Sequence, residues 1–353
     1  MNASNLSLLI ISALIVSVNL AYDSSKNVFK SQNDLSKSKI IQLKGAVGPE
    51  SVAFDPKGQG PYVGVADGRI LKWRGSFWVN FAVTSSNRKN CSMPSAPELE
   101  HVCGRPLGLR FDTKTGELYI ADAYLGLQVV GPKGGLATPL IQKFKGKPLV
   151  FTNDVDIDDH DDVIYFTDTS TKYQRRNYLD SFSSGDKTGM LMKYVKSTKK
   201  VTVLLRGLAF ANGVALSKNR SFVLVAETTN FRILRYWLKG PLVGTHDTFA
   251  ELPGMPDNIR TNSKGEFWIA LQAITSQSSI SDSNLGKLPL TVQQLYKAQL
   301  RPTAMKLSED GGILEVLEDS KSETLRSISQ AEEKDGKLWI GSVVLSFLRV
   351  CRL

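Results

Sequence analysis

The chain is short of the residues on which most nucleophilic and soft-metal chemistry depends. Among 353 residues there are three histidines and three cysteines. His160 sits in the acidic turn DDHDD, where a solvent-exposed ring is expected, and neither a Ser-His-Asp arrangement nor a G-x-S-x-G elbow is present. Hydrolysis by this chain would therefore have to be metal-assisted. The formal charge is +10, yet no run of five or more basic residues occurs, and no basic stripe carries interleaved aromatics. That excludes the usual nucleic-acid-binding patterns and leaves a solvated basic surface. Helical periodicity is nearly absent: only Leu290–Ala298 (LTVQQLYKA) reads as a short insertion helix.

Long apolar runs are missing after the first 21 residues. Leu6 to Ala21 is an uncharged apolar stretch of 16, shorter than the ~20 residues that span a bilayer. Residues 1–21 therefore read as a signal peptide, with an uncleaved anchor as the alternative: no Lys or Arg precedes the stretch, and Asn19 stands where a small residue is usual. The chain is expected in the secretory pathway (vacuole, extracellular space or endoplasmic reticulum), with no stable membrane span once the signal is removed. Cys91 and Cys103 lie 12 apart in a polar stretch, as expected for a disulfide closing one loop; zinc binding would need a second pair, and Cys351 remains a free thiol. Asn90 and Asn219 head N-glycosylation sequons, and a third at Asn5 would leave with the signal.

What the sequence does contain is a repeat. A turn, a short alternating strand, a polar Asp/Gly/Lys turn and an apolar strand often ending in Asp or Glu recur from GPESVAFD to KDGKLWIGS. The residues after the opening turn are Glu50, Leu107, Asn153, Asn212, Asp257 and Ala304, at intervals of 57, 46, 59, 45 and 47. This is propeller-blade spacing, and the expected fold is an all-β six-bladed β-propeller over residues 40–353, preceded by an extension at 22–39. The strands after Ile328 would complete the sixth blade, and the segment near Ile40 would close the ring. A β-sandwich would not give similar intervals near 50.

Inner strands of a propeller begin beside the axis, so the markers converge. Glu50, Asn153, Asn212, Asp257 and Asn258 bring two carboxylates and three amides from four blades to one point. Such oxygens suit a hard cation, calcium before zinc, with magnesium or manganese also open. Polar turn capping is the plainer alternative, because Asn and Asp favour turns. Asp154 could orient Asn153 or hold a ligand water, or it could be a turn aspartate. Leu107, Tyr124, Phe151, Phe210 and Trp268 could line an apolar pocket around the axial mouth, or be ordinary core. The expected partner is a small-molecule substrate.

The segments from GPESVAFD to FWIALQ, the Cys91–Cys103 loop, KTGMLMKY, FVLVAETTNFRILRYWLKGP and KDGKLWIGS resemble the plant strictosidine synthases and their relatives over roughly Ile40 to Ser342. The resemblance implies the same propeller and secretory location. Strictosidine synthase condenses tryptamine with secologanin using a glutamate, and here Ser329 occupies that position. Asn153, Asn212 and Ser327 stand where that enzyme has a tyrosine, a glycine and a histidine, so condensation is expected to be absent or very weak. The oxygen set is instead similar to that of paraoxonases and the gluconolactonase/regucalcin group, which implies a calcium-dependent hydrolase of lactones or esters. Leu107 and Ala123 stand at the paraoxonase histidine positions, so Asp257 or Asp154 would serve as base. A lyase with a relocated acid (Glu323, Glu332 or Glu333) and a non-catalytic binding propeller are the alternatives.

Overall fold

The computed structural model describes residues 35–91, 97–272, 302–319, 325 and 327–353. The segments read above as signal peptide and insertion helix lie outside these residues, as does Glu323. Strands dominate and form six small antiparallel sheets arranged as a six-bladed β-propeller. From the axis outward, blade 1 comprises Val52–Ala53, Tyr62–Gly64, Arg69–Trp73 and Trp78–Val83, with Gly135–Leu136 added in parallel at its edge. Blade 2 comprises Pro106–Phe111, Leu118–Asp122, Gly126–Val130 and Thr138–Ile141, and blade 3 Thr152–Asp158, Val163–Asp168, Gly189–Val195 and Lys200–Leu208. Blade 4 comprises Ala211–Leu216, Phe222–Glu227, Arg232–Trp237 and His246–Glu251, and blade 5 Met255–Thr261, Phe267–Gln272, Thr303–Leu307 and Ile313–Glu318. Blade 6 joins the two ends of the described chain: Gln330–Lys334, Lys337–Gly341 and Phe347–Arg352 are completed by Lys39–Gln42, with Lys39 opposite Val350. Just before that closing strand, Leu35 is fully buried against blades 5 and 6, so packing begins ahead of residue 40.

One boundary differs from the sequence reading. Ala304, the sixth marker by spacing, lies in the third strand of blade 5, and the sixth blade starts at Ser329 and Gln330. The hairpin Thr303–Leu307 to Ile313–Glu318 has the alternation and the polar turn of a blade's first hairpin. Alternation alone cannot distinguish an inner hairpin from an outer one, and the insertion before residue 302 pushed the true sixth start out of register.

Burial follows position in the blade. Second strands such as Leu118–Asp122 and Phe222–Glu227 are buried throughout, whereas the outermost strand His246–Glu251 is largely exposed. A strand covered on both faces reads as a continuous apolar run, which is the pattern seen in IYFTD and FVLVAE. The acid that ends these strands has a definite task. Asp122 accepts the Arg105 N–H at 2.8 Å, Asp168 the Phe151 N–H at 3.0 Å and Glu227 the Ala209 N–H at 2.8 Å. Each clamps the loop that enters its own blade and so fixes where the inner strand begins.

Candidate functional site

Four inner strands carry a register irregularity at the marker position: between Pro106 and Gly108, Thr152 and Val155, Ala211 and Val214, and Pro256 and Ile259. A bulge releases residues from the ladder and re-aims their side chains. Here it turns Leu107, Asn153, Asn212 and Asp257, with their successors, toward the axis. Neighbouring blades then approach closely. A Cβ on Gly108 would lie 2.6 Å from Asp154 Cα, and one on Gly213 would lie 2.6 Å from Asn258 Cα. Glycine in blades 2 and 4 thus makes room for the polar residues of blades 3 and 5.

The structure brings the predicted oxygen set together. Asn258 Nδ2 donates to Glu50 Oε1 at 2.9 Å across 208 residues of sequence. Asp257 accepts from Gln272 Nε2 and from Asn212. Asn153 Nδ2 donates to Thr169 Oγ1 at 2.9 Å, which leaves its amide oxygen as the acceptor still to be used. Glu50, Asn153, Asn212 and Asp257 are only 2–4% exposed. Within this cluster Glu50 Oε2, Asn212 Oδ1 and Asn258 Oδ1 are buried and have no hydrogen-bond partner. Leaving three acceptors unsatisfied is costly, and a hard cation accepting oxygen ligands removes that cost. Among the described residues no three His, Cys, Asp or Glu side chains gather for a metal.

Electrostatics point the same way. Burial raises the Glu50 carboxyl well above its usual range, with Asp257 and Asp154 adding to the effect and Arg105 and Arg260 opposing it. Burial pushes Asp257 up to about 7, against hydrogen bonds from Gln272 and Asn212. Two acids that resist ionisation side by side are what a cation would relieve.

Asp154 is placed differently from the expectation. Its oxygens take Arg260 Nη1 at 2.7 Å and Nη2 at 2.8 Å, and Oδ2 also accepts the Val214 N–H at 2.9 Å. Both oxygens thus accept from other blades, and the chief contact of Asp154 is its two-point pairing with Arg260 rather than Asn153. Arg260 also reaches Ser51 Oγ at 3.1 Å and Gln330 Oε1 at 2.8 Å. With Arg110, Asp156 and Glu332 it packs the axis with paired charge. The sequence reading missed Arg260 and also Thr169, whose hydroxyl accepts from Asn153 and donates to Ala211 O at 2.7 Å. The available signal was an arginine two residues after Asn258, at an inward position of a propeller's inner strand.

The apolar mouth is present at the same end. Leu107, Ala123, Phe151, Phe210, Met255 and Phe182 form one buried cluster, with Tyr124 packed against it. Phe182 stacks on Phe210 at 4.5 Å from the short helix Tyr178–Ser183, which covers the axis in a loop with no readable pattern in sequence. Trp268 is not part of the mouth: it is fully buried between blades 5 and 6 and donates to Glu333 Oε2 at 2.8 Å. Ser329 is buried, and its Oγ donates to the Glu50 carbonyl at 2.6 Å. Away from the axis, Cys91 and Cys103 form a disulfide, and Asn90, Asn219 and His160 are exposed.

A sequence model of strictosidine synthase matches residues 153–241, and one of the strictosidine synthase-like N-terminal region matches residues 27–73. The Arabidopsis thaliana protein strictosidine synthase-like 10 is 61% identical over 340 residues, covering 92% of this chain and 89% of that protein. Strictosidine synthase-like 3 from the same plant is 48% identical over 335 residues, covering 90% and 86%. Among solved structures, a gluconolactonase from Xanthomonas campestris overlays with a TM-score of 0.60 at 14% identity, covering 90% of this chain and 89% of that one. A calcium-binding regucalcin from Agrobacterium tumefaciens gives 0.57 at 13% identity, covering 86% and 84%. The two structural likenesses establish a shared propeller fold, and the sequence matches establish descent: the chain belongs to the strictosidine synthase-like family.

Proposed function

We propose that the axial oxygens hold one calcium ion and that the protein is a calcium-dependent hydrolase of esters or lactones. The observation that carries this reading is the trio of buried, partnerless oxygens on Glu50, Asn212 and Asn258, drawn from three blades. Asn153 and Asp257 would complete the set. When bound, the ion would polarise the scissile carbonyl and offset charge developing on its oxygen. Asp257, at the edge of the set and held by Gln272, would be the carboxylate placed to take a proton from the attacking water. Phe151, Phe182 and Phe210 exclude bulk water from the mouth. The fold is shared with a gluconolactonase and a calcium-binding regucalcin, which is consistent with this chemistry. The disulfide is compatible with the secretory pathway, where we place the protein, and exposed Asn90 and Asn219 are available for glycosylation there.

A strictosidine-synthase-type condensation has less support. Ser329 offers a hydroxyl tied to a backbone carbonyl, Glu332 lies 3.9 Å from both Arg110 and Arg260, and Glu333 accepts from Trp268 and Asn262. The low exposure of the oxygen cluster favours one further reading, an ion that only ties blades together. Calcium content and hydrolysis of an aryl-ester and lactone panel, with and without chelator, test these together. Turnover that follows bound calcium and falls in Asn212→Ala and Asp257→Ala supports the hydrolase. Turnover untouched by either variant overturns it. Bound calcium with no turnover leaves the tie, and product from tryptamine and secologanin would point to the lyase.

A further inference from the structure

The site end of blades 2 and 3 is charged asymmetrically. Thr152 pairs with Asp168 and Met190 with Arg206, so segments 142–151 and 171–189 and the Arg206 side chain all lie at the end where the oxygen set gathers. Together these carry eight Lys or Arg residues against only Asp180 and Asp186. Asp186 is buried and takes the Ser170 hydroxyl at 2.6 Å, so it offsets little of the surface charge. Lys143, Lys145, Lys147, Arg176, Lys187 and Arg206 are exposed, and among the described residues none of them pairs with a carboxylate.

Three of these lysines are held in place. Lys143–Phe144 and Lys147–Pro148 form a two-stranded hairpin that leads, through Leu149 in the core between blades 2 and 3, to Phe151 of the mouth. Lys145 Nζ and the Arg206 guanidinium flank the Phe144 ring at 5.7 and 6.0 Å from its centroid. Further in, charge is balanced rather than one-signed: Arg175 Nη1 lies 2.6 Å and Arg105 Nε 3.8 Å from Glu100, and Arg105 also faces the carboxylates of Glu50 and Asp122, so the positive edge is confined to the rim. A one-signed edge leading to a low-dielectric mouth concentrates ions of the opposite sign.

We propose that the substrate of this site is anionic, a carboxylate-bearing ester or lactone steered to the mouth along this edge. The substrate class rests on the hydrolase reading above, whereas selection of small anions by the edge does not, so binding and turnover are measured separately. The test compares wild type with Lys143→Glu/Lys145→Glu/Lys147→Glu, a change confined to an exposed hairpin. Binding of 8-anilinonaphthalene-1-sulfonate, an anionic aromatic probe, is set against the uncharged N-phenyl-1-naphthylamine at about 20 and about 300 mM salt. The sulfonate should bind the variant roughly tenfold more weakly at low salt, with the difference shrinking at high salt and the neutral probe unaffected. Equal responses of the two probes, or no response to charge reversal, would overturn the proposal. The kcat/KM of mono-4-nitrophenyl succinate should fall by a similar factor while that of 4-nitrophenyl acetate holds. Charge-selective binding without turnover of either ester would reject the hydrolase and keep the anion selectivity.

Discussion

At Thr169 one hydroxyl does two jobs: it receives the Asn153 amide and donates to the Ala211 carbonyl of the next blade. It therefore decides which way the Asn153 amide oxygen faces. Replacement by valine keeps the shape and removes both bonds, and it should weaken calcium binding about 10–100-fold, the usual cost of losing an outer-shell partner. Calorimetric titration checks this, and unchanged affinity would remove Asn153 from the set. Asp168 illustrates a different constraint. Burial pushes its carboxyl from 3.8 up to about 7, while Phe151 donates to it. Because the folded state holds this proton more tightly, the stability contribution is complete below the unfolded value and is lost as pH rises through the window up to about 7. Asp168→Asn cannot titrate, so its urea-unfolding free energy should change less between about pH 4 and pH 8 than that of wild type. The oxygen residues themselves were legible because equivalent places in separate blades meet at the axis. Arg260 and Thr169 were not, since alternation says that a side chain faces inward but not what it meets.

At the scale of single strands, the bulges on four blades turn a repeat into a site. Alternation and polar turns made the strands recognisable; the irregularities that aim Asn212 and Asp257 inward leave no mark in composition. Gly213 is part of that device, since a side chain there would strike Asn258. Gly213→Ala should cost about 1–3 kcal/mol in denaturant unfolding and weaken ion binding as well. A variant of wild-type stability and affinity would show that blades 4 and 5 can part without consequence. The same limits of pattern explain two misplacements. FWIALQ identifies a buried strand without saying which face Trp268 takes, and the outer hairpin of blade 5 passes for a blade start.

The whole molecule is a closed ring whose last blade borrows its outer strand from the first described residues. Blade count and closure were readable from spacing. The filling of the axis was not: Arg260 on blade 5 binds Asp154 on blade 3 and reaches Ser51 on blade 1 and Gln330 on blade 6. Arg260→Met strands a buried carboxylate and should destabilise the fold by about 3–5 kcal/mol. Adding Asp154→Leu should recover part of that loss, and no recovery would mean that the arginine acts through packing alone. Above this plug lies the oxygen cluster, and the most direct test of the account is its capacity for calcium. Isothermal titration of chelator-treated protein should show one ion per chain for wild type and none for a Glu50→Gln/Asn212→Leu variant that still folds. Absence of uptake by wild type, or equal uptake by the variant, would contradict the assignment and return these residues to turn capping.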